Sequence, residues 1–93
     1  MLFSLICHDV EDGFELRQQT RPAHLEFLGA QNVRFAGPIL SDDQAKPVGS
    51  IVIVECDNLD DAKAIAAEDP YSKAGLFSSV NVHPFKQVIP EVS

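Results

Sequence analysis

Two arginines followed by a histidine at helical spacing are the first place in this chain where chemistry could sit. Arg17, Arg21 and His24 fall at i, i+4 and i+7 of a segment that reads as helix, so they share one strip of its surface. Only three arginines occur among the 93 residues, and two of them belong to this strip. Such a strip can form a pocket wall, with His24 exchanging a proton and an arginine holding an anionic oxygen of a small molecule. The other reading of the same residues leaves both arginines solvated or paired with Glu15 and Glu26, and His24 filling the edge of the core.

Asp69 also has two readings. Asp followed by Pro70 is a common way to write a helix start, with the aspartate as cap and the proline in the first helical position. A carboxylate can equally orient an imidazole and stabilise its protonated form. His8 and His83 lie in strand-like segments and are read as surface residues of those strands. The spacing of histidines 8, 24 and 83 says nothing about a metal site, and no zinc-type cluster is present in the sequence. No glycine loop of the phosphate-cradling kind occurs, so no cofactor is expected.

The elements that would hold these residues follow from pattern. LFSLICH at 2–8 reads as a first strand. From Gly13 to Gln31, the residues Leu16, Thr20, Ala23, Phe27 and Ala30 recur at helical spacing and predict the buried stripe of a first helix, with a kink or restart near Pro22. Val33 to Leu40 is a second strand whose Pro38 restricts it to an edge or a bulge. SIVIVEC at 50–56 is the clearest strand of the chain. Asn58 can cap a second helix with Leu59, Ala62, Ile65 and Ala66 as its apolar stripe. A short helical turn, Tyr71 to Leu76, then leads into a last strand from Phe77 to Val88. The order βαββαβ predicts an α+β sandwich of the ferredoxin-like kind, a single domain over residues 1–93.

Both alternating faces of SIVIVEC are apolar, whereas two helices can cover only one face of a four-stranded sheet. A second copy is the simplest cover for the other face, so a homodimer with sheets face to face is expected, Val52 being taken as a residue of that interface. A net charge of −7 opposes binding to nucleic acid or an anionic membrane. The opening apolar run is too short for a membrane span or a secretory leader, so the chain is expected in the cytoplasm. Cys7 and Cys56 are expected as free thiols that behave as small buried hydrophobes.

The pieces RPAHL at 21–25, AGP at 36–38, EDPY at 68–71 with AGL at 74–76, and VHPF at 82–85 stand in register with the YCII-related (YciI-like) family, which the chain resembles over nearly its whole length. The resemblance implies a dimeric α+β barrel of two ferredoxin-like subunits and an active site around a histidine and an aspartate, here His24 and Asp69. Some members of that family are lyase-like dehydrochlorinases acting on hydroxylated or chlorinated aromatic rings, while most have no assigned reaction. The connection from Ser41 to Gly49 is short for a lid over such a site. Two functions follow from this. One is a homodimeric enzyme using His24 and Asp69 for acid/base chemistry on a small anionic or phenolic molecule held by Arg17 or Arg21. The other is a non-catalytic dimeric module that binds a small ligand or docks on a protein.

Overall fold

The two most apolar runs of the sequence become the two central strands of a four-stranded sheet in the computed structural model, which describes residues 1–91. Its elements are β1 (Leu2–Asp9), α1 (Phe14–Gly29), β2 (Val33–Leu40), β3 (Pro47–Glu55), α2 (Leu59–Glu68), α3 (Pro70–Lys73) and β4 (Phe77–Phe85). The strands lie in the order β2-β3-β1-β4 and every pair is antiparallel. This is the ferredoxin-like α+β arrangement. Pro38 lies in an edge strand, where a missing backbone donor does least harm.

Register decides which residues face the helices. Phe3 stands opposite Val54, Leu5 opposite Val52 and Cys7 opposite Ser50, and this set points inward. With Leu28 of α1 and Ala62 and Ala66 of α2, the apolar members of that set build the core. The other face carries Ser4 against Ile53 and Ile6 against Ile51, with Phe35 beside Ile53 and Phe85 beside Leu2. Phe35, Ile51 and Phe85 are exposed on it. Val52 therefore belongs to the core and not to the outer face, because a shift of one residue along a strand exchanges the faces.

The buried side of α1 also differs from the expected stripe. Ala23 and Ala30 are exposed, and the buried residues are Arg17, His24 and Leu28. The helix has rotated toward its charged strip because that strip finds partners beneath it. It passes through Pro22 without a break. The carbonyl of Gln18, which loses its donor there, lies in a stretch whose side chains are exposed, so water can serve it.

α2 begins as its sequence suggests, with the Asn58 side chain accepting the Asp61 N–H at 2.8 Å. Asp69 ends α2 and caps α3, its carboxylate accepting the Tyr71 N–H at 2.9 Å with Pro70 in the first turn. α3 spans Pro70–Lys73, shorter than the expected turn, and β4 stops at Phe85 instead of Val88.

One close approach fixes the end of the sheet nearest the site. A Cβ on Gly49 would stand 2.4 Å from the Cys7 carbonyl oxygen, so only glycine lets β3 pass β1 there. Immediately beyond, the β1–β4 register shifts between His8 and Asp9. Such irregularities re-aim a side chain, and here the residue re-aimed is Asp9.

Candidate active site

Because α1 lies on the inner face of the sheet and is held off β2 and β3 at one end, a cleft of about 430 Å³ opens between them. Arg17, Arg21, His24 and Leu28 line its helix side, Ala36, Pro38, Ser50 and Val52 its sheet side, and Tyr71 closes one end. The spacing 17, 21, 24 and 28 is one helical face, so a single helix presents all four. Ala45, from the connection between β2 and β3, and Pro47, the first residue of β3, reach the same cleft.

His24 is buried and its ring is held from two directions. Nδ1 lies 2.8 Å from Oδ1 and 2.9 Å from Oδ2 of Asp69, itself buried. A carboxylate accepts, so Nδ1 carries the hydrogen and Nε2 is the nitrogen left for a molecule in the cleft. The Tyr71 ring stacks on the imidazole with centroids 3.9 Å apart and planes 16° from parallel. Tyr71 is fully buried, and Phe77 packs edge-on against it at 5.8 Å.

The Asp69 carboxylate makes two contacts. Oδ1 caps α3 through the Tyr71 N–H while the same carboxylate takes the His24 N–H. The cap holds the carboxylate where it meets the imidazole, and α3 places Tyr71 on the imidazole face. The tie spans 45 residues of sequence and joins α1 to the α2–α3 corner.

Arg17 is committed elsewhere in the site. Its Nε and Nη2 donate to the two carboxylate oxygens of Asp9 at 2.8 and 3.0 Å, and Nη2 also donates to Ser50 Oγ at 2.8 Å. Both side chains are only 5% exposed, so this is a buried, bidentate ion pair and not a surface pairing with Glu15. Burial opposes the Arg17 charge, but the Asp9 hydrogen bonds and charge outweigh it and the guanidinium is held more firmly protonated than usual. The Arg17 guanidinium lies 4.6 Å from the centre of the Tyr71 ring. Arg21, by contrast, is exposed at the cleft rim.

Asp9, Ser50 and Tyr71 escape a reading of the sequence. Asp9 is written as part of an acidic turn, and Ser50 as the start of a strand. Only the pairing of Cys7 with Ser50 brings β1 and β3 together under Arg17. Tyr71 had a local signal, its place two residues after a capping aspartate. Burial pushes the Tyr71 phenol above its ordinary range, with Arg17 and Arg21 pulling the other way, so it is neutral at physiological pH. Cys7, beneath the site, is pushed up to about 12 by burial and by the Asp69 and Asp9 charges. That thiol is no nucleophile at neutral pH. Among the described residues, no group of histidine, cysteine and carboxylate side chains could hold a metal ion, and no helix is long and apolar enough to cross a membrane.

Comparison with known proteins places these features in a wider set. The YCII-related domain matches residues 1–86. Protein YciI of Escherichia coli O6:H1 is 38% identical over an alignment of 97 residues that covers 95% of this chain and 99% of that protein. An uncharacterized protein of Haemophilus influenzae is 37% identical over the same shares. Among solved structures, the 5-chloro-2-hydroxyhydroquinone dehydrochlorinase of Burkholderia phenoliruptrix AC1100, in complex with 2,5-dihydroxybenzoquinone, superposes with a TM-score of 0.87 at 28% identity, over 99% of this chain and 100% of that one.

Proposed function

From the premise that the chain belongs to the YCII-related family, we propose that it is a small homodimeric enzyme of the cytoplasm that performs acid/base, dehydrochlorinase-like chemistry on a small phenolic or anionic ring, with His24 and Asp69 as its working pair. The observation that carries the reading is the pairing of Nδ1 with Asp69 beside an open cleft. The similar solved structure, a dehydrochlorinase holding a quinone, supports the substrate class.

Loss of HCl from a chlorinated hydroquinone moves protons and releases chloride without any outside oxidant. A hydroxyl proton is removed and the chlorine-bearing ring carbon is protonated. A second hydroxyl then loses its proton as the C–Cl bond breaks, and chloride leaves with the bonding pair, so the ring ends as a quinone. His24 suits these transfers, because Nε2 takes the first proton and returns it to carbon, then, neutral again, accepts the proton of the second hydroxyl, with Asp69 stabilising the imidazolium each time it forms. Arg21 at the rim offers a charge for the phenolate oxygen. Arg17 leaves Nη1 outside its Asp9 and Ser50 hydrogen bonds, and its charge also favours an anion in the cleft.

The dimer would cover the outer sheet face, where Phe35, Ile51 and Phe85 stand exposed beside Ile6. Chloride release from 5-chloro-2-hydroxyhydroquinone, followed with wild-type protein and with His24→Gln, tests the catalytic reading. Turnover in the wild type that falls by a factor of about 10² to 10⁴ in the variant is the expected result. Equal turnover in the two proteins would end the proposal for His24. Ligand binding with no turnover in either would favour the non-catalytic module.

A further inference from the structure

The hydrogen bonds at His24 hold its ring by one edge. A single Nδ1–H directed between two carboxylate oxygens, 2.8 and 2.9 Å away, anchors one point of the imidazole. Turning of the ring about Cβ–Cγ is resisted only by the bending of that hydrogen bond, and such a turn tilts the line along which Nε2 points into the cleft. A contact with the ring face would hold its plane more firmly.

The Tyr71 ring meets that need. It lies 3.9 Å from the imidazole centroid and only 16° from parallel, so rotation of His24 out of its plane would drive one edge into Tyr71. Tyr71 is itself unable to yield. It is 1% exposed, Phe77 packs edge-on against it at 5.8 Å, and the Arg17 guanidinium lies 4.6 Å from its centre. Arg17 is in turn locked by Asp9 and Ser50. The backbone N–H of Tyr71 meanwhile holds Asp69 Oδ1 at 2.9 Å. One residue thus steadies the carboxylate through its main chain and the imidazole through its side chain.

We propose that Tyr71 is a positioning residue that fixes the plane of His24 and so keeps Nε2 on a single line into the cleft. This rests on the acid/base reading of His24, but it divides cleanly by substitution. Every non-proline residue at 71 keeps the N–H to Asp69, whereas only an aromatic one keeps the stack. Tyr71→Phe therefore preserves the function and Tyr71→Leu removes it. Misplacement of a reacting group by about 1 Å can cost on the order of 10²-fold in rate. The loss belongs more in kcat than in KM, because a leucine side chain still closes that end of the cleft while the imidazole loses its flat partner.

Two measurements decide the matter, one of them independent of any substrate. Carbon-13 relaxation of the His24 ring reports its order directly. The ring is expected to be rigid in wild type and Tyr71→Phe and mobile in Tyr71→Leu, with circular dichroism establishing that each variant is folded. Should Tyr71→Leu fail to fold, Tyr71→Met, which fills the space without a flat face, takes its place. A His24 ring that stays rigid without the aromatic partner, or loosens in Tyr71→Phe where the stack is kept, overturns the proposal. Chloride release from 5-chloro-2-hydroxyhydroquinone supplies the second readout, with kcat expected to drop roughly 10- to 100-fold in Tyr71→Leu and to stay within about twofold in Tyr71→Phe. Absence of turnover in the wild type would defeat the acid/base reading and leave the ring-order result to judge Tyr71 alone.

Discussion

His24 Nδ1 and Asp69 Oδ1 stand 2.8 Å apart across 45 residues of chain, and the same oxygen caps the helix that begins at Pro70. One carboxylate thus ties a fold element to a site element. Asparagine also caps helices but does not stabilise an imidazolium as a carboxylate does. Asp69→Asn is accordingly expected to unfold within about 1 kcal/mol of wild type in urea while losing at least tenfold in turnover. Equal loss of stability and activity would mean that Asp69 serves the fold alone.

The Asp9–Arg17 pair is buried at 5% exposure on both sides. Removing one partner of such a pair strands a charge and costs about 3 to 5 kcal/mol, whereas replacing both with apolar groups of similar size can be neutral. Asp9→Ala should shift the urea midpoint strongly downward, and the double variant Asp9→Leu/Arg17→Met should recover most of the loss. A single variant as stable as wild type would show that the pair is solvated in solution.

High pH should expose the buried thiol. Cys7 keeps its proton in the folded protein up to about 12, against an ordinary value of 9.0. Between those limits the unfolded chain has lost the proton and the folded chain retains it, so stability is full below pH 9 and falls as pH rises toward 12. Tyr71, whose phenol is also pushed up by burial, adds to the fall above its ordinary 10.0. Stability measured in urea between pH 8 and 12 should decline less steeply in Cys7→Ala. In the native protein at pH 8, a thiol reagent should label the half-buried Cys56 before the buried Cys7.

The outer sheet face offers the test of assembly. Ile51→Asp places a charge at its centre without entering the core, because Ile51 points away from the helices and is 38% exposed. Sedimentation is expected to show a dimer in wild type and a monomer in the variant, both with native circular dichroism. A wild-type monomer would refute the homodimer.

Much of the architecture was legible in strand alternation and in local punctuation. Pro38 announced an edge or a bulge, Asn58 a helix start and Asp69-Pro70 a second start. The face of α1 was not legible, because its buried side carries Arg17 and His24, and hydrophobic spacing points instead to Ala23 and Ala30. Charges go inside only where partners wait, and the partners Asp9, Ser50 and Asp69 come from other elements. The same limit applied to Val52 and Ile51. Both read as apolar strand residues, and only the register against Leu5 and Ile6 tells which one meets the core. Resemblance to a family named His24 and Asp69 together, but it did not supply the stack with Tyr71.

The most direct test of the whole account is nitrogen-15 correlation spectroscopy of the His24 imidazole, recorded at pH 8 with and without 2,5-dihydroxybenzoquinone. The expected spectrum shows hydrogen on Nδ1, a bare Nε2, and a shift of the Nε2 resonance on addition of the quinone. Hydrogen found on Nε2 in the free protein, or an Nε2 resonance that ignores a bound quinone, would contradict it.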